Sequence, residues 1–302
     1  MDHLLSIEAL TGSQIESLVN LGATLKQDRT RSPQTLAGQQ WALIFTKSST
    51  RTRVSFEVGI RELGGTPMFL SGADIQLGRG EPIKDTARVL GRMIHGAIIR
   101  TFAQQDVVDF AHYSGLPTIN ALTDDEHPCQ ILADLLTIQE RLGTWQNKRV
   151  VFMGDGDCNV ARSWIWAAVR GGFDIVIGAP KAFQPAAAFL ATLPDLSRVT
   201  LTDDPIAAVT DADAIYTDVW VSMGKEEEAQ ERIEILRPWQ LNAALMTHAK
   251  PGALVMHCLP AYRGKEITED VMEAHAQTIF DQAENRLHAQ KAVLVQLTQN
   301  RH

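Results

Sequence analysis

The chain has 302 residues, 45% of them hydrophobic and 21% charged, and a formal net charge of −8. That length accommodates two domains of ordinary size, and the apolar fraction excludes an intrinsically disordered chain. The acidic excess excludes nonspecific nucleic-acid binding as a principal role, so any anion site has to be a local basic pocket.

The opening residues carry Asp2, Glu8 and Glu16 and no long apolar core, so they do not read as a signal peptide. Ser13 and Glu16 have capping-box spacing ahead of a helix whose apolar face is Ile15, Leu18, Val19, Gly22 and Leu25. After Pro33 the run Trp41–Phe45 reads as a buried strand; it enters the turn Ser48-Ser49-Thr50-Arg51-Thr52-Arg53, and a helix over 54–63 leaves it, ending at Gly64-Gly65. A second strand is expected over 66–70, then a glycine-rich surface loop over 71–81, then a helix opened by Pro82. Strands over 97–102 and 117–120 flank a helix around 107–113. A long apolar helix then runs from Pro128 to Leu142, burying Ile131, Leu132, Leu135 and Ile138.

Beyond Gly143 the alternation restarts, with strands expected over 149–153, 174–177, 198–201, 212–217, 253–257 and 278–280 and a last helix over 285–297. Strands separated by helical stretches imply parallel sheets covered on both faces. The expected fold class is therefore α/β, with two doubly wound parallel-sheet domains, 1–143 and 144–284, hinged near the Pro128 helix, and no internal repeat. No apolar run reaches the ~18 residues that span a bilayer. Cys129, Cys158 and Cys258 are odd in number and show no C-x-x-C spacing, which points to reduced thiols in a cytoplasmic protein. None of the nine histidines has zinc-type spacing, so no metal is expected.

The turn at Ser49 is the chain's most informative stretch. A helix start offers unpaired N–H groups and the positive end of the macrodipole; Ser49, Thr50 and Thr52 add hydroxyls, and Arg51 a guanidinium fork. The glycines of a Walker loop are missing, so a nucleoside triphosphate is not the expected guest. An N-cap followed by solvated arginines is the plain alternative. Further polar groups fall just after expected strands, where parallel sheets bind ligands. They are Arg100, His127 and Gln130, Asn159, Asp218 with Ser222-Met223-Gly224, and Cys258-Leu259-Pro260. Taken singly, His127 and Asp218 read as caps, Cys258 as a small core residue and Arg100 as a surface charge; their common placement on one kind of edge points to a ligand site. Gly154-Asp155-Gly156 invites a dinucleotide, but Asn159 stands where the fingerprint needs its third glycine, so no nucleotide cofactor is expected.

Ser49-Thr50-Arg51-Thr52-Arg53-x-Ser55-Phe56-Glu57, His127-Pro128-Cys129-Gln130, Asp218-Val-Trp-Val-Ser222-Met223-Gly224 and His257-Cys258-Leu259-Pro260 resemble the signatures of the transcarbamylases. The last two together, with Asp281-Gln-Ala-Glu-Asn-Arg286, resemble the ornithine-specific branch; the aspartate branch shares the first two motifs but not the Ser222-Met223-Gly224 loop. The resemblance runs from about residue 40 to the C-terminus.

It implies transfer of the carbamoyl group of carbamoyl phosphate to the δ-amine of L-ornithine, giving citrulline and phosphate in arginine biosynthesis. It also implies the two-domain transcarbamylase fold joined by interdomain helices, with the C-terminal helix packing back on a first, carbamoyl-phosphate-binding domain and a second, ornithine-binding domain following it. By the same resemblance Ser49, Thr50, Arg51 and Thr52 hold the phosphate; Arg100, His127 and Gln130 hold the carbamoyl end; and Leu122 offers its carbonyl to the carbamoyl amine. Asn159, Asp218, Ser222 and Met223 hold ornithine, with Cys258, Leu259 and Arg286 at the reacting centre. The family forms trimers in which Gln76 of one subunit reaches the phosphate site of the next. Where many relatives carry Asn-Asn, this chain has Cys158-Asn159, so only Asn159 carries that match. Some relatives carry a lysine where this chain reads Gly78-Arg79-Gly80-Glu81-Pro82, which leaves open which residue besides Gln76 crosses the subunit interface.

The chemistry agrees with these roles. An amine with a pKa near ~10.4 is neutral in only about one molecule in a thousand near pH ~7.4, a handicap of about 4 kcal/mol. Asp218 orients the ammonium, and either Cys258 or the departing phosphate takes its proton. A transcarbamylase for another amine, such as N-acetylornithine or putrescine, and a non-catalytic regulatory paralogue are the alternatives.

Overall fold

A computed structural model describes residues 1–72, 80–221 and 229–299. The chain divides into two compact units, Met1–Leu136 with the residues from Glu284 onward, and Thr137–Ala283.

The first unit contains α1 (Gly12–Gln27), β1 (Gln40–Phe45), α2 (Thr50–Glu62), β2 (Thr66–Ser71), α3 (Ile83–Leu90), β3 (Gly96–Arg100), α4 (Gln104–Ser114), β4 (Thr118–Leu122) and the start of α5 (Pro128–Leu142). Its four strands are parallel in the order β2-β1-β3-β4, so the sheet reverses direction of winding between β1 and β3. Alternate residues of one sheet face, Ala42, Ile44, Ala97 and Ile99, pack with Ala87, Val107, Phe110 and Leu116, the period-two pattern of a strand meeting helical partners. The central strands β1 and β3 are buried along nearly their whole length, as an all-parallel sheet covered on both faces requires. Gly96 begins β3 because a Cβ there would lie 2.5 Å from the Trp41 ring on the neighbouring strand.

The second unit contains the rest of α5, β5 (Arg149–Met153), α6 (Asn159–Gly171), β6 (Asp174–Gly178), α7 (Ala187–Leu190), β7 (Val199–Thr202), α8 (Pro205–Val209), β8 (Ala214–Thr217), α9 (Ala229–Leu236), α10 (Ala243–Met246), β9 (Leu254–His257), α11 (Glu269–Ala274) and the start of α12 (Ala276–Gln299). Its sheet is parallel in the order β7-β6-β5-β8-β9, reversing between β5 and β8. The unit boundaries fall inside α5 and inside α12.

The apolar face expected for α1 is the face it buries: Ile15, Leu18, Val19, Gly22 and Leu25. Its cap is shifted, however. Thr11 and Gln14 form the capping box, because the helix begins at Gly12, ahead of Ser13. The strand expected over 278–280 is instead helical, within α12. Thr278-Ile279-Phe280 has strand composition, but its buried positions, Thr278, Ile279 and Gln282, have helical spacing, and Phe280 is exposed. No helix among the described residues is long and apolar enough to cross a membrane.

Candidate active site

In the first unit the polar groups gather where β1, β3 and β4 end, beside the winding reversal, the expected ligand edge. Ser49 caps α2: its backbone is extended and its Oγ accepts the Thr52 N–H at 3.3 Å. The N-cap reading of this turn therefore holds, and it accounts for one of the helix's open N–H groups while the others stay available to an anion. Thr50 and Arg51 are exposed, whereas Thr52 is buried.

Arg100, at the end of β3, is 6% exposed and so is no surface charge. Leu122 ends β4, and its carbonyl accepts the Thr101 N–H at 3.0 Å, which leaves a second lone pair on that oxygen. His127 directly precedes α5, and its carbonyl accepts the Gln130 N–H at 3.0 Å. Arg286, reaching in from α12, joins the group: it donates to Gln130 Oε1 at 2.6 Å and to Thr52 Oγ1 at 3.2 Å. Gln130 in turn donates from Nε2 to Asp134 Oδ1 at 2.8 Å. With its amide turned so that the oxygen faces the guanidinium, the orientation that satisfies both ends, Gln290, one turn after Arg286, accepts from Arg286 Nη2 at 3.0 Å and donates to Ser55 Oγ at 2.6 Å. Thr52, Gln130 and Arg286 are thus one buried network, with Asp134, Gln290 and Ser55 behind it. Asp134 and Gln290 were missed in the sequence; their signal was the i, i+4 spacing from Gln130 and Arg286 on the same helices.

Burial holds His127 well below the usual imidazole pKa, and the positive charges of Arg286 and Arg100 push it the same way. The ring is neutral at physiological pH. A histidine with a depressed folded pKa gives stability above its unfolded value of ~6.5 that is lost as pH falls below it. His275 and His288, lowered chiefly by burial, slope in the same direction. His127→Gln is therefore expected to shrink, without abolishing, the fall in melting temperature between about pH 7.5 and about pH 5.5. An acid-side fall equal to the parent's contradicts the burial of a neutral His127.

In the second unit the polar groups follow β5, β8 and β9. Asn159 is the first residue of α6, half-buried, behind Cys158, whose Sγ accepts the Ala161 N–H at 3.5 Å. Burial raises the Cys158 thiol well above its ordinary pKa, with Asp155 and Asp218 adding to the rise, so it caps the helix as a neutral group. The Gly154-Asp155-Gly156 turn is structural. Asp155 pairs with Arg232, whose Nε donates to the Trp220 carbonyl at 2.8 Å, and a Cβ on Gly156 would meet Ile177 Cγ2 at 2.5 Å.

Asp218 follows β8 and Cys258 follows β9, on adjacent strands. The Cys258 S–H donates to Asp218 Oδ1 at 2.8 Å, and the same oxygen accepts the Val219 N–H at 2.7 Å. Burial raises the Asp218 pKa, against the lowering effects of His257 and these hydrogen bonds. Cys258 is half-buried and hydrogen-bonded, which sets aside the reading of it as a small core residue.

His257 is built into the strand end: Nδ1 accepts the Leu259 N–H at 2.8 Å, and Nε2 lies 3.1 Å from Glu266 Oε1. Glu266 also accepts the Tyr262 N–H at 2.6 Å, and nothing in the sequence pattern marked it. Donor atoms of Asp218, His257 and Cys258 lie within 4.8 Å of one another, but both His257 nitrogens are engaged, so a metal ion would have to displace one of those contacts. Gln76, Ser222 and Met223 lie outside the described residues.

Two parallel α/β units with polar side chains gathered at their strand ends are the architecture of a small-molecule enzyme. Within that class, the model of the aspartate/ornithine carbamoyltransferase carbamoyl-P binding domain matches residues 2–140, and that of the Asp/Orn binding domain matches residues 146–297. The chain belongs to the aspartate/ornithine carbamoyltransferase family. It is 61% identical over 304 aligned residues to an ornithine carbamoyltransferase of Akkermansia muciniphila, covering 100% of this chain and 99% of that one. Among solved structures it is similar to the anabolic ornithine carbamoyltransferase of Campylobacter jejuni (TM-score 0.94, 40% identity, 100% of both chains). It is also similar to the ornithine carbamoyltransferase of Pyrococcus furiosus (TM-score 0.91, 45% identity, 97% of this chain and 95% of that one).

Proposed function

We propose that the protein is an ornithine carbamoyltransferase, joining the carbamoyl group of carbamoyl phosphate to the δ-amine of L-ornithine with release of phosphate. The Cys258–Asp218 pair is the observation that carries the choice of acceptor. A half-buried carboxylate attracts a cationic amino acid and repels aspartate, the acceptor named with ornithine in the family's description. Residues 1–143 serve carbamoyl phosphate and residues 144–284 serve ornithine. The reading places the reaction in arginine biosynthesis, in the cytoplasm, in a homotrimer in which Gln76 of one subunit reaches the phosphate site of the next.

Ser49, Thr50, Arg51, Thr52 and the first turn of α2 hold the phosphate, and Gln130 with the Leu122 carbonyl orients the carbamoyl amide. The amine attacks the carbonyl carbon, negative charge grows on its oxygen, and the C–O bond to phosphorus then breaks. Arg100, Thr52 and neutral His127 are donors for that oxyanion, and losing one such donor typically costs about 3 kcal/mol of barrier. Arg286 fixes Thr52 and Gln130 for this work. Asn159, Ser222 and Met223 hold the ornithine backbone, with Leu259 beside the reacting centre. Asp218 holds the δ-ammonium, and its proton leaves through Cys258 or the departing phosphate.

Citrulline formation measured beside N-acetylornithine and putrescine carbamoylation tests the reading; a preference for either of those acceptors, or no turnover with any, overturns it. Arg51→Ala is expected to raise the KM and Kd for carbamoyl phosphate by about 10- to 100-fold, the worth of one charge-assisted hydrogen bond of about 1.5–3 kcal/mol. An unchanged carbamoyl phosphate affinity takes Arg51 out of the site.

A further inference from the structure

The three loops that carry the first unit's candidate site leave the consecutive strands β1, β3 and β4, and among the described residues backbone hydrogen bonds join each loop to its neighbour. The Thr46 N–H donates to the Arg100 carbonyl at 2.9 Å, tying the exit of β1 to that of β3. The Asp124 N–H donates to the Phe102 carbonyl at 2.8 Å, tying the exit of β3 to that of β4. β1 and β4 are not neighbours in the sheet. Besides Arg286, which joins Thr52 to Gln130, the Lys47 side chain spans the gap. Lys47 leaves β1 two residues before the Ser49 cap, lies 4.1 Å from the centroid of the Phe102 ring, and ends in an ion pair with Asp124. Its side chain is only 6% exposed although its carboxylate partner is 61% exposed, so the cation is sheltered and its far end is anchored at the surface.

The segment it reaches is the turn that carries His127. Thr123 and Glu126 close that turn through the Thr123 N–H to the Glu126 carbonyl at 3.0 Å and the Glu126 N–H to Thr123 Oγ1 at 3.2 Å. On its other side the Glu126 carboxylate accepts the N–H groups of Ile7 at 2.7 Å and Glu8 at 3.3 Å. The turn is thus fastened to the N-terminal strap by Glu126 and to the β1 exit by Lys47.

We propose that Lys47, through Asp124 and the Phe102 face, is a positioning residue that holds the His127 turn in register with the Ser49–Thr52 turn. It acts through these loops and is not itself a phosphate ligand. The inference rests on the reading of this unit as the carbamoyl phosphate side of a carbamoyltransferase.

A double-mutant cycle with Lys47→Met, Asp124→Asn and the pair tests it, with Lys47→Arg as the variant that keeps both the charge and the ring contact. Hydrogen exchange of the Thr123, Asp124 and Glu126 amides in ligand-free protein is expected to quicken by about tenfold in each single variant and no further in the double. Citrulline kcat is expected to fall about tenfold in both singles, again without addition in the double, while KM for carbamoyl phosphate stays within about threefold and Lys47→Arg recovers most of the rate. Because Asp124 is exposed, its variant reports on the clasp even if Lys47→Met folds poorly. Multiplying effects in the double, or turn amides unmoved in Asp124→Asn, overturn the proposal. So does a split in sign, with Asp124→Asn tightening carbamoyl phosphate and Lys47→Met weakening it, since that marks a lysine acting on the phosphate directly. A parent protein that makes no citrulline sinks the functional reading alone, because the exchange measurement still decides the clasp.

Discussion

Arg286→Met is expected to lower citrulline formation by about 100- to 1,000-fold, the range found when a preorganised donor array at a developing oxyanion is broken. The guanidinium bonds Gln130 Oε1 and Thr52 Oγ1 from opposite ends of its fork, and Gln290 holds it from behind. Methionine fills the volume but leaves these buried oxygens without their donor, so the loss includes their freedom to turn away from the substrate. Lysine keeps the charge and loses the fork, so Arg286→Lys is expected to recover less than about a tenth of the activity. A readout independent of turnover accompanies this. Of the two guanidinium charges that depress His127, Arg286 has the larger effect, so its removal should raise the pKa of that ring in an NMR titration. The ring should stay below the ordinary histidine value, because burial is the leading cause. Retention of more than about a third of kcat/KM in Arg286→Met would remove the guanidinium from the chemistry.

Asp218→Asn is expected to cost activity and to add stability. Loss of the carboxylate removes the anchor of the δ-ammonium, and a fall in kcat/KM for ornithine of about 100-fold or more is anticipated, from a half-buried charge-assisted contact worth about 3 kcal/mol. Burial raises the folded pKa of Asp218, so the folded protein binds that proton more tightly than the unfolded chain does. The favourable contribution is complete below the unfolded carboxylate value of ~3.9 and is lost as pH rises through the folded value. At neutral pH the raised pKa of Asp218 therefore burdens the fold. Asparagine removes that burden while its Oδ1 still accepts from Val219 and Cys258. The melting temperature of Asp218→Asn should exceed the parent's near pH ~7.5 and converge on it near pH ~4. A variant melting below the parent at neutral pH would show that Asp218 is stabilised in place and is not held there for function.

Both variants touch groups whose residue types were visible in the sequence and whose states were not. Asp218, Cys258 and Arg286 stand out as polar residues beside expected strand ends or a terminal helix. That Cys258 donates to Asp218 across 40 positions, or that Arg286 reaches Thr52 across 234, depends on where the chain returns. Asp134 and Gln290 were readable in principle from i, i+4 spacing. Lys47 and Asp124 lie 77 positions apart, on loops whose adjacency only the strand order β1-β3-β4 establishes. The error over 278–280 has the same origin. Three residues of strand composition are too few to outvote a helix that begins at Ala276 and continues to Gln299.

From the sequence alone come the alternation of strands and helices, the buried face of α1, the hydroxyl-and-arginine turn at the start of α2, and the gathering of polar residues at strand ends. These follow from local periodicity and chain order, which act over a few residues at a time. The tertiary structure alone decided which of those polar groups share a hydrogen-bond network, that His127 is neutral and Asp218 raised in pKa, and that Asp155 pairs with Arg232. Protonation and pairing depend on burial and on neighbours distant in the chain, and neither exists until the sheets are assembled.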